Sequence, residues 1–97
     1  MAKLPPLHPG EILREDYLEP LNMTAYELAK RLGVSAPKIY DIVKEKRGIT
    51  ADTALRLGKL FGQSPQFWLN LQSAYELECE EDRLEPELDK IQQLPIA

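Results

Sequence analysis

A short interval between two helix-forming segments constrains this chain more than any other feature of its sequence. Thr24 is followed three residues later by Glu27, the capping-box pattern whose side chains satisfy free amide groups at a helix start. That helix ends at Gly33, because glycine takes the positive φ of a helix terminus without strain. Ser35 is a strong N-cap for the next helix, so only Gly33 and Val34 separate the two. The pattern predicts two helices that meet across a very short turn.

The rest of the chain carries helix boundary signals as well, and it has no alternating strand pattern. Its 97 residues, of which 43% are hydrophobic and 29% charged, suit a single globular domain. Three further helices are marked by their first and last residues: Pro9 and Gly10 to Pro20 and Asn22, Thr50 to Gly62, and Ser64 and Pro65 to beyond Tyr75. We therefore expect an all-α fold of five helices.

Apolar residues recur at helical spacing in the last three helices and indicate which faces are buried. The expected core residues are Ile39, Ile42 and Val43 in the third helix, Ala54, Leu55, Leu57, Leu60 and Phe61 in the fourth, and the stripe Trp68, Leu71 and Tyr75 in the fifth. A domain of this size has little interior for so much aromatic surface. We expect part of the segment from Trp68 to Tyr75 to close a two-fold dimer.

The charges are segregated along the chain, so the formal net charge of −4 hides a basic middle. Residues 24–50 hold six basic and three acidic side chains, a net of +3, whereas residues 76–97 hold two basic and eight acidic ones, a net of −6. The basic residues of the middle are Lys30, Arg31, Lys38, Lys44, Lys46 and Arg47. If the fold gathers these six residues on one face, that face can bind an anion such as nucleic acid. If the fold disperses them, they are part of an ordinary solvated surface.

The acidic tail from Glu76 to Asp89 is expected to break at Pro86 and to finish with a weak helical turn around Leu88 and Ile91. Three roles remain open for it: repelling DNA, solvating the chain, or binding a basic surface of a partner.

The sequence offers little for catalysis or metal binding. His8 and Cys79 each occur once and lack the H-E-x-x-H or C-x-x-C spacing, so no set of metal ligands is expected. Acidic neighbours disfavour the thiolate that a nucleophilic Cys79 would need, which leaves it as a packing or surface thiol. His8 is expected to cap the first helix or to lie on the surface. We predict a protein that is not an enzyme and needs no cofactor or metal.

The cellular location follows from what the sequence lacks. No apolar run approaches the roughly 20 residues that span a bilayer, and residues 1–6 lack the apolar stretch of a secretory signal. A single cysteine forms no internal disulfide and suits a reducing compartment. We expect a cytoplasmic protein.

Two helices joined by so short a turn with glycine in it form the helix-turn-helix arrangement. The second helix of that arrangement enters the major groove of DNA, which is about 12 Å wide and accepts one α-helix. The alternative is an ordinary αα-hairpin in a helical bundle, and the spacing and caps alone leave both open.

Longer motifs narrow the choice. Residues 24–35 (TAYELAKRLGVS) resemble the helix-turn-helix core of the Cro/C1-type (XRE) family. Three motifs flank this core: residues 8–13 (HPGEIL) precede it, and residues 47–57 (RGITADTALRL) and 67–72 (FWLNLQ) follow it. Together they resemble the HigA-type, VapI-like antitoxins over about residues 7–78.

This resemblance implies a five-helix Cro/C1-type (lambda-repressor-like) helix-turn-helix domain over residues 1–78, with a short acidic C-terminal extension over residues 79–97. It implies a homodimer that binds double-stranded operator DNA and represses its own operon. The other implied partner is a HigB-type toxin, a ribosome-dependent mRNA endonuclease that the antitoxin neutralises.

The resemblance also assigns roles to single residues. The recognition helix runs from Ser35 to Lys44. The implied DNA-binding residues are Ser35, Ala36, Pro37, Lys38, Tyr40, Asp41 and Lys44 on that helix, Lys46 and Arg47 after it, and Thr24 and Tyr26 on the helix before it. The expected dimer interface is Trp68, Leu71, Gln72 and Tyr75.

The chain departs from the family pattern at three places. Ala25 stands where the wider family often has glutamine, which removes a side-chain contact to phosphate. Asp41 occupies a position that is often basic, where a carboxylate accepts only from cytosine N4 or faces water. Lys44 and Glu45 replace the usual Asn-Gly, which predicts a longer recognition helix.

Two other functions stay open on the sequence. The first is a stand-alone transcriptional regulator of the same fold without a toxin. The second is a protein-interaction adaptor, in which the basic helix meets an acidic partner. Steep salt dependence of binding to duplex DNA would argue against the adaptor.

Overall fold

Five helices make up most of the computed structural model, which describes residues 4–96. Helix α1 covers residues 9–21 and consists of an α-helical turn (Pro9–Ile12), a π-helical stretch (Leu13–Leu18) and a final turn (Glu19–Leu21). The others are α2 (Ala25–Leu32), α3 (Ala36–Val43), α4 (Ala51–Phe61) and α5 (Pro65–Leu88). The predicted all-α class and the five helices are confirmed.

The predicted helix starts and stops are confirmed by the hydrogen bonds at the helix ends. Thr24 Oγ1 accepts from the Glu27 amide at 3.0 Å, and Thr50 Oγ1 accepts from the Thr53 amide at 3.4 Å. Gly33 and Gly62 end α2 and α4 with φ of 73° and 67°, the left-handed conformation that glycine adopts without a steric penalty. The helix boundaries are therefore set locally by cap residues.

Helix α1 contains a π-helical stretch that is followed by a proline. The Glu19 amide donates to the Arg14 carbonyl, the i→i+5 hydrogen bond of a π-helix, and Leu13 and Leu18 are both buried. Pro20 and Asn22 were expected to close the helix together: Pro20 lies within the last turn, and Asn22 ends the helix with φ of 53°. Asn22 tolerates this left-handed conformation better than most residues.

The core is centred on Trp68 of α5, which is fully buried in the single chain. Its indole Nε1 donates to Gln63 Oε1 at 2.8 Å, and its ring lies 5.1 Å from that of Tyr17 on α1. The Gln63 amide in turn donates to the Tyr17 hydroxyl. Other fully buried residues are Leu13, Leu28, Ile39, Ile42, Ala54 and Leu57.

Two residues of the expected core lie on the surface instead. Leu55 is 61% exposed and Leu60 is 36% exposed, because α4 turns Thr53, Ala54 and Leu57 inward. The prediction that the whole apolar set of α4 is buried is therefore wrong.

Helix α5 continues past the expected break at Pro86 and ends at Leu88. Pro86 lies only two residues before the helix end, so its missing amide removes one hydrogen bond of the last turn. The prediction of a break there is wrong, and α5 crosses residues 78 and 79 without interruption. With 24 residues it is about 36 Å long at 1.5 Å per residue, and most residues after Glu76 are exposed.

Candidate nucleic-acid interface

Helices α2 and α3 form the predicted helix-turn-helix. At the turn, the Val34 amide donates to the Ala29 carbonyl at 3.1 Å and the Gly33 amide donates to the Lys30 carbonyl at 3.3 Å. These two bonds are those of a Schellman motif, which satisfies the last carbonyls of α2. Arg56 of α4 donates to the carbonyl of Leu32, the last residue of α2, at 2.8 Å. A side chain of α4 thus holds the end of α2 where the turn to α3 begins.

The C-terminal end of α3 is held against α1. A Cβ on Gly10 would come within 1.8 Å of the Ile42 carbonyl oxygen, so only glycine allows the two backbones to approach this closely. Arg14 Nη1 donates to the Val43 carbonyl, and Arg14 Nη2 pairs with Glu45 at 3.4 Å. Helix α1 therefore fixes the position of the recognition helix.

Glu45 follows the C-cap Lys44 of α3 and has a positive φ although it is not glycine. Its φ is 63°, a left-handed conformation that strains residues with a Cβ. Its ion pair with Arg14 ties the carboxylate to α1. Helix α3 ends at Val43 with Lys44 as its C-cap, so the expectation of a longer recognition helix is wrong.

The predicted recognition helix from Ser35 to Lys44 is α3 together with its two cap residues. Ser35 is the N-cap, but its hydroxyl makes no capping hydrogen bond, and Pro37 is in the first turn. Ser35, Pro37, Tyr40 and Lys44 are exposed, whereas Ala36, Lys38 and Asp41 are half-buried. The opposite face is anchored by the buried Ile39 and Ile42. The N-terminal end of α3 is thus open to solvent, and its uncapped amides favour an anion.

Lys38 belongs to a small charge network with α4. Its Nζ lies 4.0 Å from Asp52 Oδ1, and the same oxygen accepts from Arg56 Nε at 2.7 Å. The Arg56 hydrogen bond holds the pKa of Asp52 below its ordinary value. Asp52 is therefore charged at neutral pH, and at 4.0 Å Lys38 lies at the outer limit of an ion pair with it.

The negative charge of Asp41 is balanced by Arg47 in the loop that follows α3. Arg47 Nη2 lies 3.9 Å from Asp41 Oδ2, and both side chains are about half exposed. The Lys44 ammonium lies 5.9 Å from the centre of the Tyr40 ring. The acidic departure from the family pattern is therefore balanced within the chain.

The preceding helix places the other predicted residues. Thr24 and Tyr40 line the same depression between α1, α2 and α3. Tyr26 is exposed, and the Lys30 ammonium lies 5.7 Å from its ring centre. Arg31 lines a different groove, against α4. The basic residues of the middle are thus divided between the recognition-helix region and the α4 side.

The loop after α3 is fastened to α5 by Gln72. Its Oε1 accepts from the Ile49 amide at 2.7 Å, and its Nε2 donates to Glu76 at 2.8 Å. A Cβ on Gly48 would approach the Gln72 amide group to 2.7 Å. Gln72, predicted in a dimer interface, therefore has a role in positioning the loop that carries Lys46 and Arg47.

The rest of the predicted dimer stripe divides into core and surface. Trp68 is wholly buried in the single chain and offers no surface to a second one, so its assignment to the interface is corrected. Leu71 and Tyr75 are half-buried. The Tyr75 ring packs edge-on against His8 at 4.7 Å, and a hydrogen bond with the half-buried Cys79 raises the pKa of Tyr75.

His8 is the predicted helix cap and is not on the surface. Its Nδ1 accepts from the Gly10 amide at 2.8 Å, and the residue is only 4% exposed. Burial is the main reason that the pKa of His8 is lowered, and Arg14 adds to this while Glu45 opposes it. Neutral imidazole is the form that accepts this hydrogen bond.

Sequence reasoning missed Arg14 and Arg56, which hold the motif from α1 and α4. Arg56 had a local signal, because Asp52 precedes it by four residues, an ion-pair spacing on a helix. Arg14 had none, since its partners are about 30 residues away along the chain. Over residues 4–96, no group of three His, Cys, Asp or Glu is arranged to hold a metal, and no helix is long and apolar enough to cross a membrane.

Several known proteins are similar to this chain in sequence and contain the same helix-turn-helix. A helix-turn-helix family model matches residues 15–68. Virulence-associated protein I of Dichelobacter nodosus is 57% identical over 79 residues, which are 81% of this chain and 73% of that protein. Antitoxin HigA-1 of Vibrio cholerae is 32% identical over 96 residues, which are 99% of this chain and 90% of that protein.

A solved structure shows the same architecture. The antitoxin HigA of Pseudomonas aeruginosa, solved with the higBA promoter, superposes with a TM-score of 0.90 at 46% identity, covering 93% of this chain and 99% of that one. The chain belongs to the HigA antitoxin family of helix-turn-helix proteins. Members of the HigA family are DNA-binding antitoxins and regulators and not enzymes. The resemblance and the fold class predicted from the sequence are confirmed.

Proposed function

We propose that this HigA-family chain binds the operator of its own operon, represses it, and neutralises a HigB-type mRNA endonuclease. The observation that carries the DNA-binding part is the exposed N-terminal end of α3, where Ser35 makes no capping hydrogen bond. An α-helix end of this kind fits the major groove, with its first residues at the base edges. The P. aeruginosa relative solved with its promoter supports the proposal.

The side chains divide into base readers and phosphate anchors. Lys38 donates to guanine O6 and N7, and Tyr40 packs on a thymine methyl or donates to a phosphate. Lys46 and Arg47 follow the helix on an exposed loop and contact the backbone. Thr24 and Tyr26, with Ser35, Ala36, Pro37, Asp41 and Lys44, complete the proposed DNA-binding set. No base is read by Ala36 or Pro37 beyond apolar contact, since neither side chain donates a hydrogen bond.

Fluorescence anisotropy with a labelled duplex from upstream of the operon, against a scrambled duplex, tests this assignment. At about 150 mM salt we expect about a thousandfold preference for the operator. Lys38→Ala should lose about 1–3 kcal/mol at one base position and relax preference there. Arg83→Ala is the control, because this exposed basic residue pairs with Glu80 on α5, outside the proposed DNA-binding set. Equal, weak binding of the parent to both duplexes would refute sequence-specific binding.

The chain is proposed to act as a homodimer in the cytoplasm, where operator DNA is found. Two copies place two recognition helices on successive major-groove faces, about 34 Å apart. Leu71, Gln72 and Tyr75 are the surface residues proposed for the interface, and residues 1–78 are the proposed DNA-binding domain. Sedimentation of the full chain tests the dimer independently of DNA.

The toxin is proposed to bind the acidic extension of residues 79–97. An mRNA endonuclease needs a cationic surface to approach RNA, and this end of the chain is the most acidic part of the sequence. Reversing Glu80 and Glu81 to lysine should weaken capture of the co-expressed toxin while operator binding persists. Glu19→Lys, on α1, is the control, and loss of the toxin with that variant alone would place its site on the N-terminal helices.

A further inference from the structure

An open groove runs between the end of α2 and the outer face of α4. It has a volume of about 450 Å³ and is lined by Arg31, Leu32, Leu55, Arg56, Lys59 and Leu60. Leu55 and Leu60 are the two leucines of α4 that the core leaves exposed. A second, shallower depression continues from Leu55 and Lys59 to Pro65 at the start of α5.

The rim of this groove is basic. Arg56 is engaged with Asp52 and the Leu32 carbonyl, whereas Arg31 and Lys59 are exposed. Among the described residues, no carboxylate lines the groove. A segment that combines apolar side chains with carboxylates would therefore complement both the exposed leucines and the basic residues of this groove.

The far end of α5 has this combination. Leu88 is the last residue of α5, and the Ile91 amide donates to its carbonyl at 3.0 Å, so one hydrogen-bonded turn after the helix keeps the two residues close together. Ile91 is 70% exposed and Leu88 is also exposed. Glu85 and Asp89 flank them and are exposed. Residues 85–91 therefore place an exposed leucine and an exposed isoleucine among carboxylates.

The segment cannot reach the groove of its own chain. The 23 residues from Pro65 to Leu88 rise about 35 Å along α5, whereas the three residues that follow span at most about 11 Å. The molecule is 50 Å long, in keeping with the projecting end of the helix. This segment can therefore meet such a groove only on another molecule.

We propose that the groove of one copy holds residues 85–91 of a second copy, with Leu88 and Ile91 against Leu55 and Leu60. This inference rests on the proposed homodimer and names a contact within it. The acidic flanks of the segment lie beside Arg31 and Lys59. The dimer is then closed by two exchanged helix ends in addition to the proposed contacts of Leu71, Gln72 and Tyr75.

A charge exchange between two full-length variants tests the contact. One variant carries Arg31→Glu and Lys59→Glu in the groove, and the other carries Glu85→Lys and Asp89→Lys on α5. In either variant alone, groove and segment have the same sign, and we expect the dimer dissociation constant from sedimentation to rise about tenfold or more. In an equal mixture every groove meets a segment of opposite sign in the heterodimer, so dimers should form again near the parent's constant.

Several controls make the result decisive. Lys44→Glu with Lys46→Glu reverses two charges outside the groove and should impair operator binding while leaving the dimer intact. Circular dichroism establishes that each variant is folded. Unchanged dimerisation of both variants, or a mixture that stays dissociated, would overturn the contact. So would a groove variant that loses operator affinity with an unchanged dimer constant, since the groove would then contact phosphate. A parent chain that is monomeric would instead refute the proposed dimer itself.

Discussion

The Asp41 carboxylate lies 3.9 Å from the Arg47 guanidinium, across the loop that follows the recognition helix. The pair joins the one acidic side chain of α3 to a cation proposed to anchor the DNA backbone. A surface pair of this kind contributes at most about 1 kcal/mol to stability, so either partner can be removed without unfolding the chain.

We expect Asp41→Ala and Arg47→Ala to move DNA affinity in opposite directions. Removing the carboxylate releases Arg47 for phosphate and should strengthen binding to every duplex by less than about tenfold. Removing the arginine should weaken binding to every duplex and flatten the salt slope by about one unit. Anisotropy over a salt series measures both effects.

Arg83→Ala is the matched control for this pair of variants, because Arg83 is also a surface arginine paired with a carboxylate, Glu80 of α5. It should leave the salt slope unchanged. A change of preference at one base pair with Arg47→Ala would contradict its role as a backbone anchor.

Glu45 provides a test of backbone strain at the end of α3. Glu45→Gly and Glu45→Ala both lose the ion pair with Arg14, but only glycine relieves the left-handed conformation. We expect the glycine variant to be more stable than the alanine variant by about 1 kcal/mol in urea unfolding. Equal midpoints would show that position 45 leaves the left-handed region when the carboxylate is removed.

Gly10 tests the contact between α1 and α3. A Cβ there would overlap the Ile42 carbonyl oxygen, so Gly10→Ala should lower the free energy of unfolding by about 3 kcal/mol, at the upper end for overpacking. Operator binding should fall as well, because α1 fixes the recognition helix.

Gly62→Ala is the comparison, since this glycine has positive φ and no atom near its missing Cβ. Gly62→Ala should lower the free energy of unfolding by about 1 kcal/mol, because only its left-handed backbone conformation is unfavourable. If both variants lost the same stability, the close approach of α1 to α3 would not be needed.

His8 predicts a pH dependence of stability. Its pKa is lowered in the folded chain, so the unfolded chain takes up the proton first as the pH falls below about 6.5. The stability that neutral His8 contributes is fully present above that value and is lost as the pH falls through the lower folded pKa. The midpoint of urea unfolding, measured between about pH 7 and pH 5, should therefore decrease.

His8→Asn separates this effect from the carboxylates, since asparagine also caps a helix but does not titrate. The slope between about pH 7 and pH 6, above the range of ordinary carboxylates, should flatten in that variant. A slope equal to that of the parent would assign the pH dependence to other groups.

The features that were predictable from the sequence are those determined within one helical turn. Thr24, Gly33, Thr50 and Gly62 mark helix ends through contacts with residues three to five positions away, and all four are confirmed. The order of such signals was enough to give the fold and the position of α3, the helix proposed to enter the major groove.

The features that sequence reasoning missed depend on distant partners. The end of α3 at Lys44 and Glu45 depends on Arg14, and the role of Gln72 depends on a loop 23 residues earlier in the chain. The exposure of Leu55 depends on which face of α4 meets α5, because periodicity marks an apolar residue without showing that a neighbour covers it.

The π-helical stretch of Leu13–Leu18 has a consequence for comparing relatives. Its hydrogen-bonded ring contains one residue more than that of an α-helix, so both ends of α1 can stay in place if that residue is deleted. A homologue with a one-residue gap between positions 13 and 18 should therefore keep the same contacts of Gly10 and Tyr17 and form an uninterrupted α-helix. Such a gap would change the winding of α1 without displacing α3.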